Sequence, residues 1–335
     1  MNIRDVARMS GVSVTTVSRA LNEPEKVKAN TLQQIMTTIQ QTNYVPNNSA
    51  RYLKTQQSNI VCVLAKGISN PFFNNMIRII QRSCLQYGYS MLLKHLDPEQ
   101  DELDVAIEQA KEKKILGVII LGGRLNNQGN KMAELNIPVV LATSNVVKDV
   151  SEKLYSSISI DDALEADKAV NYLYSLGHRK IAIITSELMS ESSIMRERLQ
   201  GYRDALERLD LPYDEGLMIE APEFTEYGGY RAFSLLQERH KEYTAVFSIA
   251  DTMAIGFCRA ALESGIRIPK DISVLGFDGI DATRFYYPSI STIKQPTEEM
   301  AHAAIETLHG LIQGGQNRHL VFSGSVIERE SCERI

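Results

Sequence analysis

The run from Ile3 to Asn22, Ile-Arg-Asp-Val-Ala-Arg-Met-Ser-Gly-Val-Ser-Val-Thr-Thr-Val-Ser-Arg-Ala-Leu-Asn, constrains the chain more than any other stretch. Val6 and Ala7 suit the inward side of a short first helix, and Gly11 breaks that helix where a left-handed backbone costs least. Ser13 offers a hydroxyl as N-cap for a second helix. Val17 and Leu21, four residues apart, give that helix an inward stripe, while Val14, Thr15, Ser18 and Arg19 fall on another face. Two short helices joined by a Gly turn form the helix-turn-helix motif, whose second helix enters the DNA major groove with its first side chains at the base edges. Thr15, Thr16 and Arg19 are the expected groove-facing residues, with Ser18 beside them. A third helix from about Asn30 to Thr42 closes the small core with Leu32, Ile35, Met36 and Ile39.

Charge agrees with that reading once it is divided along the chain. The net charge is −5, but residues 1–60 carry seven Lys and Arg against three Asp and Glu, and the acidic excess lies in the remainder. A basic head on an acidic body places the phosphate-attracting field at one end. At 335 residues the chain exceeds a single hydrophobic core, so two or three domains are expected. No apolar run approaches the roughly 20 residues of a membrane span, and no signal-peptide core opens the chain. A cytoplasmic protein is therefore expected. Cys62, Cys84, Cys258 and Cys332 lie far apart without metal-ligand spacing and read as reduced thiols, so no metal is expected.

The opening run, ending in Thr16-Val17-Ser18-Arg19-Ala20-Leu21-Asn22, resembles the head of the lactose/galactose-repressor (LacI/GalR) family of bacterial transcriptional regulators. The stretch Tyr44-Val45-Pro46-Asn47-Asn48-Ser49-Ala50-Arg51-Tyr52-Leu53-Lys54 reads by itself as a linker or a two-turn helix too short to persist alone. It resembles the family's hinge helix, which implies DNA contacts from Asn47, Ala50, Leu53 and Lys54. Leu53 takes the position whose side chain wedges between base pairs in the minor groove.

From Ser58 onward short apolar strands alternate with helical stretches of 10–15 residues, the pattern of parallel α/β sheets. The strands are expected at Ile60–Ala65, Met91–Lys94, Val118–Leu121, Val139–Ala142, Ser157–Ile160, Ile181–Thr185, Ala245–Ser248 and Ser273–Phe277. A last pair is expected at Leu320–Phe322 and Val326–Glu328. The expected fold is an all-α helix-turn-helix head plus an α/β two-lobed periplasmic-binding-protein-like effector domain with two parallel doubly wound sheets. Domain bounds are 1–45 for the head, 46–58 for the hinge helix and linker, and 59–335 for effector binding and dimerisation. Crossings between lobes are placed near Asp161, Ile290–Thr292 and Ser323. The N-lobe is then about 59–160 with 292–323, and the C-lobe about 161–291 with 324–335. The resemblance extends from Ile3 to about Ser331.

Open parallel sheets bind ligands beyond the carboxyl ends of their strands. The resemblance implies a ligand site there, built from Phe72, Phe73, Arg198, Phe224, Asp251 and Asp278. An aromatic face suits a sugar ring or a flat base, a guanidinium grips vicinal hydroxyls or a carboxylate, and Asp278 accepts from ligand hydroxyls or a ring N–H. Two departures make the cleft less polar than in a typical disaccharide-binding relative. Ala250 stands where sugar-responsive members commonly carry Asn, and the loop after Val139–Ala142 begins with Thr143-Ser144-Asn145 rather than Asp or Asn. Glu306 replaces the arginine with which carbon-catabolite regulators hold a phosphoprotein partner, so no such partner is expected.

The expected function is a homodimeric transcriptional regulator, a repressor, bound to double-stranded operator DNA and controlled by a small effector such as a sugar or sugar derivative. A purine- or nucleoside-responsive, corepressed regulator of the same fold is the alternative. A plain solute-binding protein leaves Ile3–Leu53 unexplained. An enzyme is not expected, nor a cofactor: no Gly-x-Gly-x-x-Gly follows the first strand, and no Walker Gly-Lys loop, His-Glu-x-x-His or Gly-x-Ser-x-Gly occurs.

Overall fold

The computed structural model describes residues 2–42, 44, 58–67, 70–97, 100–123, 129–144, 150–186 and 193–335. The chain divides into two compact units, Met1–Ser58 and Asn59–Ile335. The hinge residues Asn47, Ala50, Leu53 and Lys54 lie outside the described residues.

In the first unit three helices, α1 (Ile3–Met9), α2 (Val14–Asn22) and α3 (Ala29–Thr42), pack around Val6, Ala7, Val17, Ala20 and Ile35. Reciprocal side-chain caps start α1: Asn2 accepts from the Arg4 and Asp5 N–H groups, and the Asp5 carboxylate accepts from Asn2 N–H at 3.0 Å. Gly11 sits at φ +60, the left-handed turn residue, and the Ser13 hydroxyl accepts from Thr16 N–H at 3.1 Å to start α2. On α3 the core face is Leu32, Ile35 and Ile39, whereas Met36 is 46% exposed and leaves the expected core. One residue turns the helix by about 100°, so a neighbour of Ile35 faces away.

The second unit has two lobes. The first begins with β1 (Ile60–Lys66), α4 (Phe72–Gln86), β2 (Ser90–Leu96), α5 (Glu102–Lys113), β3 (Gly117–Leu121), α6 (Gly129–Glu134), β4 (Val139–Ala142) and β5 (Ser156–Ile160). At Asp161 the chain passes to the second lobe. There it forms α7 (Asp162–Ser175), β6 (Ile181–Ser186), α8 (Ser193–Arg208), β7 (Met218–Ala221), α9 (Glu226–Glu238), β8 (Ala245–Ser248), α10 (Asp251–Glu263), β9 (Ser273–Asp278), α11 (Ala282–Phe285) and β10 (Ser291–Lys294). It returns for α12 (Thr297–Ile312) and β11 (His319–Phe322), then crosses again to β12 (Ser325–Ile327). The sheet orders are β11-β5-β4-β3-β1-β2 and β12-β10-β9-β8-β6-β7. Strands β3, β4, β6, β8 and β9 are buried along their whole length, as strands covered by helices on both faces must be.

Three expectations need correction. The second sheet is not wholly parallel, because β12 runs antiparallel to β10. The second crossing does not lie at Ile290–Thr292: β10 pairs with β9 from Ser291↔Leu275 to Lys294↔Asp278, so residues 292–294 belong to the second lobe. Ile293 is fully buried in that lobe's core, and the chain leaves only at Pro296, which has no N–H to continue a ladder. Finally, β7 was not expected. It is a four-residue edge strand with Glu220 exposed, too short for its alternation to register.

The crossings run side by side. Gly324, on the third, lies so near the second that an added Cβ would be 3.0 Å from the Lys294 carbonyl oxygen. Glu165 in the first turn of α7 is buried and accepts from Gly324 N–H at 2.8 Å and from Lys168 Nζ at 2.7 Å. Cys62, Cys84 and Cys258 are buried free thiols, and burial pushes Cys62 up to about 12 and Cys84 up to about 11. Among the described residues no helix is long and apolar enough to cross a membrane.

Candidate functional site

In the head, Thr15 and Arg19 of α2 are exposed, while Thr16 and Ser18 are half-buried. The Thr16 hydroxyl lies 2.8 Å from Ser13 Oγ, so it belongs to the N-cap and leaves Thr15 and Arg19 as the open polar groups of the first two turns. Val17 and Ala20 on the opposite face hold the helix to the core, which fixes the direction in which Arg19 projects.

In the second unit a cavity of about 300 Å³ opens between the lobes, at the small end of the range for ligand sites. Phe72, Phe73 and Phe224 supply aromatic wall, and Arg198, Asp162 and Asp278 supply charge. Phe72 and Phe73 pack edge to face with centroids 5.3 Å apart. Thus Phe72, Phe73, Arg198, Phe224 and Asp278 all come together here, from the start of α4, from α8, from the loop after β7 and from the last residue of β9.

Arg198 is the centre of the polar half. Its Nε donates to Asp162 Oδ1 at 2.7 Å, its Nη1 donates to the Ile249 carbonyl at 2.6 Å, and Nη1 lies 3.6 Å from Asp278 Oδ1. The guanidinium carbon sits 3.7 Å from the centroid of the Phe277 ring, over its face. All three charged side chains are buried. Such a planar cation can hold two carboxylates at once and still present an edge to a ligand.

Burial pushes the Asp278 carboxyl up to about 6, against the pull of Arg198 and of hydrogen bonds from Gln295 and Asn70. The Gln295 amide donates to it at 2.8 Å. Burial also raises Asp162, and the adjacent Arg198 opposes this. Asp278 holds φ +117 without being glycine, a strained backbone of the kind that persists where surrounding contacts fix it.

Asp251 does not belong to this site. It is fully buried beyond the lining, where one carboxylate oxygen accepts from the Gly279 and Ile280 N–H groups at 2.7 and 2.8 Å and the other accepts from the Thr292 hydroxyl at 2.7 Å. Its role is to fix the turn that follows Asp278, because a buried turn needs an acceptor for its N–H groups. Sequence reasoning missed Asp162 and Gln295. Asp162 carried one weak signal, a second carboxylate beside the α7 N-cap Asp161. Gln295 carried none, because it sits in a crossing with no periodicity.

Comparison with known proteins agrees with both units. Residues 2–47 match the family described as bacterial regulatory proteins, lacI family, and residues 170–332 match the periplasmic binding protein-like domain. The HTH-type transcriptional regulator MalR of Clostridium butyricum is 37% identical over 346 residues, covering 100% of both chains. A lac repressor dimer bound to operator and the anti-inducer ONPF superposes with a TM-score of 0.82 at 25% identity over 99% of both chains. A complex of the transcriptional regulator CelR with cellobiose gives 0.74 at 26% identity, again over 99% of both. A capped helix-turn-helix head, a two-lobed body with a charged cavity between its sheets, and end-to-end similarity to such regulators place this chain in the lacI family of bacterial regulatory proteins, as a DNA-binding transcriptional regulator under ligand control.

Proposed function

We propose that the chain is a cytoplasmic, homodimeric, non-enzymatic repressor that binds a neutral sugar or sugar derivative between its lobes. The observation that carries this reading is the buried Arg198–Asp162–Asp278 cluster facing aromatic walls in one cavity. Carboxylates accept from hydroxyls, the guanidinium donates to ring or hydroxyl oxygens, and Phe72, Phe73 and Phe224 cover the C–H faces of a sugar. The cellobiose-bound regulator supports a sugar over other ligands. Thr15 and Arg19 read the operator's major groove, with Thr16 and Ser18 beside them on the same helix. Asn47, Ala50, Leu53 and Lys54 contact its minor groove, with Leu53 as the wedge. The effector acts by altering how the two lobes close, which changes the spacing of the paired heads without touching DNA.

The test is operator binding by fluorescence anisotropy with and without a panel of mono- and disaccharides. One sugar should change operator affinity by roughly 5–150-fold, the usual size of such coupling. Arg198→Lys should keep operator binding but lose the sugar response, since an ammonium lacks the planar fork. Three phenylalanines in one cavity also suit a flat base, so adenine, guanine and nucleosides belong in the panel. A response to these and to no sugar would replace the sugar reading with the purine one.

A further inference from the structure

The crossings between the lobes are tied together immediately beyond the first-lobe sheet. In that sheet Ile160 at the end of β5 stands opposite Phe322 at the end of β11, so the first and third crossings leave it side by side. The first crossing then becomes α7, whose opening turn is fixed by Asp161. The Asp161 carboxylate accepts from Leu164 N–H at 2.9 Å, and its carbonyl accepts from Glu165 N–H at 2.9 Å. From that turn the Glu165 side chain, 1% exposed, reaches across to the third crossing. Its Oε1 accepts from Gly324 N–H at 2.8 Å and from the Ser323 hydroxyl at 3.3 Å. Lys168, three residues on and on the same helix face, donates to Glu165 Oε1 at 2.7 Å, to Ser323 Oγ at 2.8 Å and to the Gly324 carbonyl at 3.4 Å. The second crossing starts close by. A Cβ added at Gly324 would lie 2.9 Å from Glu165 Oε2 and 3.0 Å from the Lys294 carbonyl oxygen.

Rotation of one rigid lobe against another is absorbed by backbone changes in the few residues between them. Strand pairing holds the first and third crossings as far as Ile160 and Phe322. Glu165 and Lys168 hold them again within a few residues, which leaves a short stretch of each crossing to bend. For a longer stretch to bend, a buried carboxylate must give up the Gly324 N–H, and burial makes such a loss costly. We propose that Glu165 and Lys168 form an inter-lobe clasp: from α7 of the second lobe they grip Ser323 and Gly324 and so set the angle between the lobes. The same turn of α7 carries Asp162 into the cavity, against Arg198, so the clasp stands one helical turn from the ligand site. Its consequence for operator binding rests on the reading above that lobe closure controls the heads.

Single-molecule energy transfer on the full-length, ligand-free dimer tests it. The dyes sit at Glu112→Cys in the first lobe and Glu207→Cys in the second, both exposed positions, with one labelled protomer per dimer. The wild type should give one narrow efficiency peak, and Glu165→Ala a shifted or broadened one. Glu165→Gln keeps an acceptor for Gly324 N–H and should stay near the wild type. Lys168→Met should move the peak in the same direction as Glu165→Ala but less far, and it carries the test if Glu165→Ala does not fold. Asp167→Ala breaks an ion pair with Arg208 on the same helix without touching a crossing, and should leave the peak in place. Operator affinity without ligand should change by roughly fivefold or more in Glu165→Ala and not in Glu165→Gln. The clasp is overturned if the folded Glu165→Ala or Lys168→Met protein keeps the wild-type peak, or if Glu165→Gln or Asp167→Ala moves it as far as Glu165→Ala does. A moved peak with unchanged operator affinity leaves the clasp standing and overturns lobe closure as the control of operator binding.

Discussion

Removing the Arg198 side chain tests the electrostatic reading of the cavity most directly. Arg198→Ala takes from Asp162 and Asp278, with side chains 5% and 4% exposed, the cation they share, and leaves the Ile249 carbonyl without its donor. Breaking a buried pair by deleting one partner costs about 3–5 kcal/mol. The orphaned carbonyl and the lost Phe277 stack overlap with that figure and are not added to it. Part of the loss is recoverable, because Asp278 already sits at about 6 and takes up a proton once the cation is gone. We therefore expect a loss of about 3 kcal/mol at pH 7, at the lower end of that range. This lowers the melting temperature by roughly 6–12 °C for a domain of this order of size. Both carboxyls are then raised in the folded state above their ordinary value of 3.8. A group raised in the fold destabilises progressively as pH rises from the unfolded value through the folded one. The deficit should accordingly shrink between pH 7 and pH 5. Adding Asp162→Asn should recover roughly half of it at pH 7, by removing one buried charge. Thermal melts of the three proteins at both pH values decide the matter. A single variant that loses less than about 1 kcal/mol at pH 7, or a double variant less stable than the single, would refute the cluster as a buried ion network.

Arg19→Ala should weaken operator binding by about 1–3 kcal/mol while leaving binding to random-sequence DNA nearly unchanged; anisotropy at fixed salt on both DNAs checks this, and equal losses would mean a phosphate contact only. If a sugar hydroxyl donates to ionised Asp278, whose free value is about 6, sugar affinity should be about tenfold weaker at pH 5 than at pH 7. A calorimetric profile that stays flat would remove Asp278 from the contact. Asp251→Ala should cost about 2–5 kcal/mol by orphaning the Gly279 and Ile280 N–H groups. Asp251→Asn, which keeps an acceptor for both, should cost less than half as much. Urea unfolding compares the two, and equal costs would contradict the turn-holding role.

The sequence by itself determined what depends on near neighbours along the chain. The Gly11 turn, the Ser13 cap and the Val17–Leu21 spacing act within one or two helical turns, so the head was legible before any coordinates. The alternation of apolar strands with amphipathic helices likewise named a parallel α/β body, which the family resemblance divided into two lobes. Strand ends pointed to the loops, and the family resemblance named Phe72, Phe73, Arg198, Phe224 and Asp278, which do meet in one cavity. Only the tertiary structure decided how charges pair across that body. Asp162 reaches Arg198 across 36 residues of sequence, and Asp251 reaches Thr292 across 41, distances over which no periodicity survives. Asp251 and Asp278 are both carboxylates at the end of a strand or the start of a helix. Which one faces the cavity and which holds a turn depends on where the Gly279 and Ile280 amides fall. The same holds for β10, whose sheet is set by the strands on either side of it and not by its own four residues. Burial makes unpaired polar groups costly, and the folded chain satisfies them with whichever partner the packing brings near.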